Sequence, residues 1–189
     1  MRIIAGNLKG CFLKGPKTLE ITRPILARVK KSLFDILTPI FREKKSLRFL
    51  DLFSGTGAVG IEAISRGADT VFFVEKDREM YKCILDNLEK FKIFEKNKVF
   101  CTDVFDFFKN YNGEPFDIVF AGPPYQEKLC NKILSCFADS KVYNKDTILV
   151  LQHGSRESVI DENKVLEKFR TKFYGDTILD FFKELFVGE

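Results

Sequence analysis

Apolar positions change period near residue 47, and that change divides the chain's pattern. Residues 2–5 and 11–14 are short, partly alternating apolar segments on either side of Gly6-Asn7-Leu8-Lys9-Gly10. They predict a β-hairpin with an Asn/Gly-rich turn. Thr22-Arg23-Pro24 predicts a helix start, because proline is tolerated in the first turn and Thr22 or Arg23 can cap it. Leu26, Val29, Leu33, Ile36 and Leu37 then recur at helical spacing, and Pro39 is expected to end the run. Arg23, Arg28, Lys30 and Lys31 fall largely on the opposite face.

From Leu47 onward short apolar runs alternate with helical patterns, which favours a parallel sheet. Strands are predicted at 47–53, 70–75, 98–101, 116–120 and 147–152. A helix is predicted over 58–66, stopped by Gly67, and another follows with Met80, Ile84, Leu88 and Phe91 on one face. A further helix is expected over 128–137. Residues 168–174 and 177–182 read as a closing strand pair around Gly175-Asp176, a favourable hairpin turn. The pattern as a whole predicts a doubly wound α/β fold. Residues 1–46 are expected to be a basic hairpin-and-helix appendage packed on a Rossmann-type body of residues 47–189, in one compact unit.

Composition narrows the functional classes. With 189 residues, 45% hydrophobic and 31% charged, the chain reads as an ordinary globular protein. Its apolar runs are too short for a membrane span or signal peptide, so a cytoplasmic location is expected. Five cysteines without CxxC spacing read as reduced, buried, small hydrophobes. The single histidine, His153, leaves no His-built metal site, and no GxSxG elbow supports a Ser-His-Asp enzyme. Charge is uneven. Residues 1–48 carry twelve Lys/Arg against three acids, a net of +9, while the other 141 residues carry −5. A basic segment on an acidic body suits a polyanion, and a solvated basic face is the plainer alternative.

The chemistry-bearing residues lie at predicted strand ends. Gly55-Thr56-Gly57-Ala58-Val59-Gly60 follows the first strand and opens a helix, the context that a GxGxxG nucleotide-binding loop requires. That pattern alone suits NAD, FAD or S-adenosylmethionine. Asp51, just before the loop, is awkward for a pyrophosphate and useful for the ammonium of S-adenosylmethionine. Glu75 ends the second strand, 24 positions later, where an acid can accept both ribose hydroxyls. Asp103, in Cys101-Thr102-Asp103-Val104 at the end of the third strand, is placed to accept an adenine amino hydrogen.

The fourth strand runs into Ala121-Gly122-Pro123-Pro124-Tyr125. Two prolines stiffen the turn and supply no N–H, so the Pro123 carbonyl and the Tyr125 ring can be held facing a cofactor. An exocyclic base amine is a poor nucleophile, because its lone pair is delocalised into the ring. A carbonyl accepting its hydrogen can turn that lone pair toward a sulfonium methyl while an aromatic ring stacks on the base.

These residues are accompanied by Arg2-Ile3-Ile4-Ala5-Gly6, Thr22-Arg23-Pro24 with Arg28-Val29, Gly60-Ile61-Glu62-Ala63, Ser65-Arg66-Gly67-Ala68 and Tyr174-Gly175-Asp176-Thr177. In that order the chain resembles the RsmD family, bacterial methyltransferases that modify N2 of a guanine in 16S ribosomal RNA. The resemblance implies a Rossmann-like methyltransferase fold with a seven-stranded, mostly parallel sheet. It also implies S-adenosylmethionine as cofactor and 16S rRNA within an assembling small subunit as partner; no metal and a monomeric state are expected. By position it gives Gly122, Pro123, Pro124 and Tyr125 as catalytic and Asp51, Ser54, Gly55, Gly57, Glu75 and Asp103 as cofactor-binding. Arg2, Lys9, Lys14, Arg23 and Arg28 are the expected RNA grip. Two departures stand out. Gly122 occupies a position where the family has Asp or Asn, a side chain that accepts from the target amine. Gln152-His153 lies where the family tends to carry an acid. The alternatives left open are a relative that binds cofactor and RNA with weakened catalysis, an amine methyltransferase acting on DNA or protein glutamine and, more distantly, a nicotinamide oxidoreductase.

Overall fold

Residues 1–15, 25–160 and 165–185 are described in this computed structural model. Thr22-Arg23-Pro24, and with it the expected helix start and the grip residue Arg23, lies outside them. The chain forms two compact units, Met1–Asp103 and Val104–Glu189.

The first unit begins with a pair of extended segments rather than full strands. Arg2 and Phe12 form an antiparallel bridge, and the Ile3 and Leu13 amides donate to the Cys11 and Met1 carbonyls. Gly6 and Gly10 both have positive φ, which fits the glycine-rich turn between them. Helix α1 (Ala27–Glu43) buries Val29, Leu33 and Leu37, as its apolar spacing predicts, and Phe34 besides, while Leu26 is exposed and Ile36 half-buried. Two expectations fail here. Pro39 lies inside α1 and the helix continues to Glu43. The proline removes one amide donor without preventing the next turn, since Lys44 N–H still reaches the Ile40 carbonyl. Lys30, placed by spacing on the polar face, is buried with α1's apolar side because an anion is waiting for it.

Strands β1 (Arg48–Leu52), β2 (Thr70–Val74) and β3 (Lys98–Phe100) pair in parallel in the order β3-β2-β1. Helix α2 (Ala58–Ser65) joins β1 to β2 and α3 (Arg78–Lys90) joins β2 to β3. Nearly every residue of α2 is buried, including Glu62 and Ser65, whose polar groups are paired with Lys30 and with the Ala5 carbonyl. Asp77 caps α3, accepting the Glu79 and Met80 amides.

In the second unit β4 (Ile118–Ala121) and β5 (Ile148–Gly154) are parallel, connected through α5 (Cys130–Ala138). The chain then reverses: β7 (Thr177–Glu184) runs antiparallel to β5, and β6 (Leu166–Tyr174) antiparallel to β7, around Gly175 at φ 63. Helix α4 (Val104–Asn110) was not anticipated. The strands run β3-β2-β1 in the first unit and β4-β5-β7-β6 in the second, the pattern of the Rossmann-like sheet that the motifs imply. The cysteines are all free, but only Cys83 and Cys130 are buried. Cys101 is exposed, Cys11 and Cys136 are half-buried, and the expectation of five buried thiols is corrected.

Candidate active site

The glycine loop is shaped by the backbone it needs. Gly55 and Gly57 have φ of 54° and 76°, a region that side chains disfavour, and Gly57 is the N-cap of α2. A Cβ at Gly55 would meet nothing within 4 Å, so the backbone there is open to a ligand. Gly60 serves packing instead. A Cβ there would lie 2.2 Å from Phe73 Cε1, so only glycine lets α2 settle against β2.

The three carboxylates follow successive parallel strands. Asp51 is the fourth residue of β1 and is 1% exposed, and its Oδ2 accepts the Gly60 amide at 2.8 Å. Burial pushes its carboxyl well above the usual range, the Gly60 hydrogen bond works against that, and the Glu75 charge adds to it. Glu75 follows β2. Its two oxygens accept the Gly55 amide at 2.7 Å and the Asp77 amide at 2.9 Å, which ties the glycine loop to the strand end. Asp103, half-buried, directly precedes α4. Ser54 is buried. Its hydroxyl donates to the Asp51 carbonyl at 2.6 Å and accepts the Val74 amide at 3.1 Å, so it fastens β1 to β2. This donor set, acidic side chains around an open glycine backbone, fits a cationic nucleoside with free hydroxyls. S-adenosylmethionine is such a nucleoside. Among the described residues no group of three or more His, Cys, Asp or Glu could hold a metal ion.

In the second unit β4 ends at Ala121, and the turn leaves through half-buried Gly122, buried Pro123 and exposed Pro124 into a single 3-10 turn, Tyr125–Glu127. Tyr125 is held at its hydroxyl, which donates to Thr177 Oγ1 at 3.2 Å and accepts from Gln152 Nε2 at 2.8 Å. Gly154 makes room for the ring, since a Cβ there would lie 3.2 Å from Tyr125 Cδ2. The conspicuous Tyr174-Gly175-Asp176-Thr177 segment thus contributes a hydroxyl to the Pro-Pro-Tyr turn. Sequence reasoning assigned no such role to Gln152 or Thr177, since the contact depends on how β5 and β7 pair. His153 is structural. Its Nε2 meets Asp180 Oδ2 at 3.1 Å, and Asp180 also accepts from Lys168 and Thr171. Burial alone would raise the Asp180 carboxyl, but His153, Thr171 and Lys168 outweigh it and hold it below the usual range.

Of the expected grip residues, Arg2, Lys9 and Arg28 are exposed. Lys14 is exposed but paired with Asp86 at 3.4 Å, and its backbone is clamped by the Asn87 side chain. The Arg2 guanidinium lies 5.7 Å from the ring centroid of Phe12, which is 65% exposed and offers an aromatic face that sequence reasoning passed over.

Comparison with known proteins follows the same lines. The chain is similar to the ribosomal RNA small subunit methyltransferase D of Haemophilus influenzae, at 32% identity over 90% of this chain and 88% of that one. It is 29% identical to the ribosomal RNA small subunit methyltransferase D of Buchnera aphidicola, over 84% of this chain and 80% of that one. The solved structure of the yhhF protein of Escherichia coli superposes with a TM-score of 0.82 at 26% identity, covering 97% of both chains. The family model described as Conserved hypothetical protein 95 matches residues 1–183. That match takes in every motif on which the resemblance rested, and the chain accordingly belongs to this family, the RsmD family.

Proposed function

We propose that this chain transfers a methyl group from S-adenosylmethionine to the exocyclic N2 amine of a guanine in 16S rRNA of the small ribosomal subunit. The observation that carries the proposal is the pair of carboxylates on the glycine loop, Asp51 on the Gly60 amide and Glu75 on the Gly55 amide, beside an open Gly55 backbone, an acceptor set that suits a cation better than a phosphate. When bound, the cofactor supplies an electrophilic methyl on a sulfonium. The chain's own residues bind and position. Asp51 and Glu75 hold the cofactor's ammonium and ribose, and Asp103 its adenine amine. Tyr125, fixed at its hydroxyl, offers a ring on which an unstacked guanine can lie, and the Pro123 carbonyl accepts from the target amine. Residues 1–46, with Arg2, Lys9, Lys14, Arg23 and Arg28, grip RNA phosphates as a basic appendage to the body of residues 47–189. The protein acts as a cytoplasmic monomer without metal, on an assembling subunit. None of the described helices is long and apolar enough to cross a membrane.

The test incubates the protein with methyl-labelled cofactor and small subunits from cells lacking the modification. Label in a guanine N2 is expected, and its absence, with cofactor binding confirmed, overturns the proposal. Gly122 favours a second reading, in which binding persists and turnover is weakened. A poor wild-type rate raised by Gly122→Asp supports that reading, and efficient wild-type turnover ends it.

A further inference from the structure

Gly122 removes an acceptor from the Pro-Pro-Tyr turn, and the neighbouring strand holds a spare one. Ala121 pairs with Leu151 in the parallel β4–β5 register, so Gly122 lies beside Gln152, the next residue of β5. A Cβ built on Gly122 would stand 4.0 Å from the Gln152 Cβ and no closer than 3.4 Å to any atom of Phe120. The two positions therefore share one small space. Gln152 is only 9% exposed, and its Oε1 is buried with no hydrogen-bond partner. Its Nε2 donates to the Tyr125 hydroxyl, and that hydroxyl donates on to Thr177 Oγ1, which leaves Oε1 as the free acceptor. A buried carbonyl without a donor destabilises the fold, so a ligand that supplies an N–H gains more here than from a solvated carbonyl.

We propose that Gln152 takes the part of the side chain missing at Gly122, with its Oε1 accepting a hydrogen from the target amine while its Nε2 fixes Tyr125. The carboxamide then stands on β5, beside Gly122, and serves the Pro-Pro-Tyr turn from there. The acceptor draws one amine hydrogen toward itself and leaves the nitrogen lone pair directed away from it. The ring of Tyr125, tied to the same amide, sets the plane of the base. This inference rests on the methyltransfer reading above.

Methyl transfer to small subunits is measured for wild type, Gln152→Leu and the double variant Gln152→Leu/Gly122→Asn, with cofactor affinity and thermal unfolding followed alongside. Gln152→Leu is expected to lower kcat on the order of 10²-fold, with cofactor affinity and unfolding temperature little changed. Gly122→Asn is expected to restore at least about tenfold of that loss, because it returns an amide to the same space. Unchanged kcat in Gln152→Leu overturns the inference, and so does a loss that Gly122→Asn leaves unrepaired. A third control uses Tyr125→Phe. If Gln152→Leu has no effect in that background, Gln152 only positions Tyr125 and the acceptor role falls. Wild-type protein that binds cofactor and labels nothing overturns the methyltransfer reading and this inference together.

Discussion

Lys30 and Glu62 meet at 3.0 Å with side chains 3% and 0% exposed, and this buried pair fastens the N-terminal segment to α2. Glu62 accepts the Ile4 and Ala5 amides at 2.9 and 3.0 Å and pairs with Arg66, while Lys30 donates to the Arg2 carbonyl. Removing one partner strands a buried charge and two amides, so Glu62→Ala is expected to lower stability by about 3–5 kcal/mol. Burial alone would raise the Glu62 carboxyl, but the Ile4 amide, Lys30 and Arg66 together hold it below its ordinary value. Its contribution is therefore present above the ordinary Glu range and lost as pH falls through the lowered value. Denaturant titrations of wild type and Glu62→Ala should diverge at neutral pH and converge in acid. A gap that stays constant into acid would show that Glu62 does not act through its charge.

Much of this fold was legible because its strands are short, buried and bounded by turn residues. The predicted strand at 47–53 emerges as Arg48–Leu52, and 70–75 as Thr70–Val74. What escaped has physical causes. Lys30 sits at a polar-looking position, and its partner Glu62 is 32 residues away on another helix, beyond the reach of periodicity. Val104, Phe107 and Phe108 do carry helical spacing, but α4 is only seven residues long and falls between two strand signals. At the candidate site the carboxylates could be placed from strand ends alone. The Tyr125–Gln152–Thr177 contacts could not, since they depend on β7 turning antiparallel beside β5.

Asp51 is poised between fold and function. Its folded carboxyl is raised above the unfolded value, so folding takes up a proton and stability declines as pH rises through that window. Asparagine keeps an oxygen for the Gly60 amide and discards the buried charge. Asp51→Asn is expected to gain about 1 kcal/mol at neutral pH, read as a rise of roughly 2–4 °C in Tm. It is also expected to lose most of its affinity for S-adenosylmethionine. In wild type the bound cation favours the ionised carboxylate, so affinity should tighten with pH up to the raised value and then level. Calorimetric titration across pH checks this, and a flat profile would remove Asp51 from the cofactor's ammonium.

Gly60 is expected to be intolerant of a single methyl group. A Cβ at 2.2 Å from the fully buried Phe73 ring cannot be absorbed without displacing α2 or the ring. Gly60→Ala should therefore lower stability by about 1–3 kcal/mol. Phe73→Leu in the same chain should recover part of that loss, because the two changes share one space. A double variant whose loss is the sum of the single losses would place the strain elsewhere.

The basic segment can be divided by salt. Each phosphate neutralised on single-stranded RNA contributes about 0.7 to the slope of log affinity against log salt concentration. Arg2→Gln and Arg28→Gln should each flatten that slope by about this amount, whereas Lys14→Gln should do less, since Asp86 already shares its charge. Phe12→Ala removes the exposed ring beside Arg2 and no charge. It should weaken binding by about 1–3 kcal/mol if a base stacks there, and leave the slope unchanged. Binding isotherms on a small-subunit RNA fragment at four or five salt concentrations separate the two effects. Equal slopes in wild type and the arginine variants would move the RNA grip away from this segment.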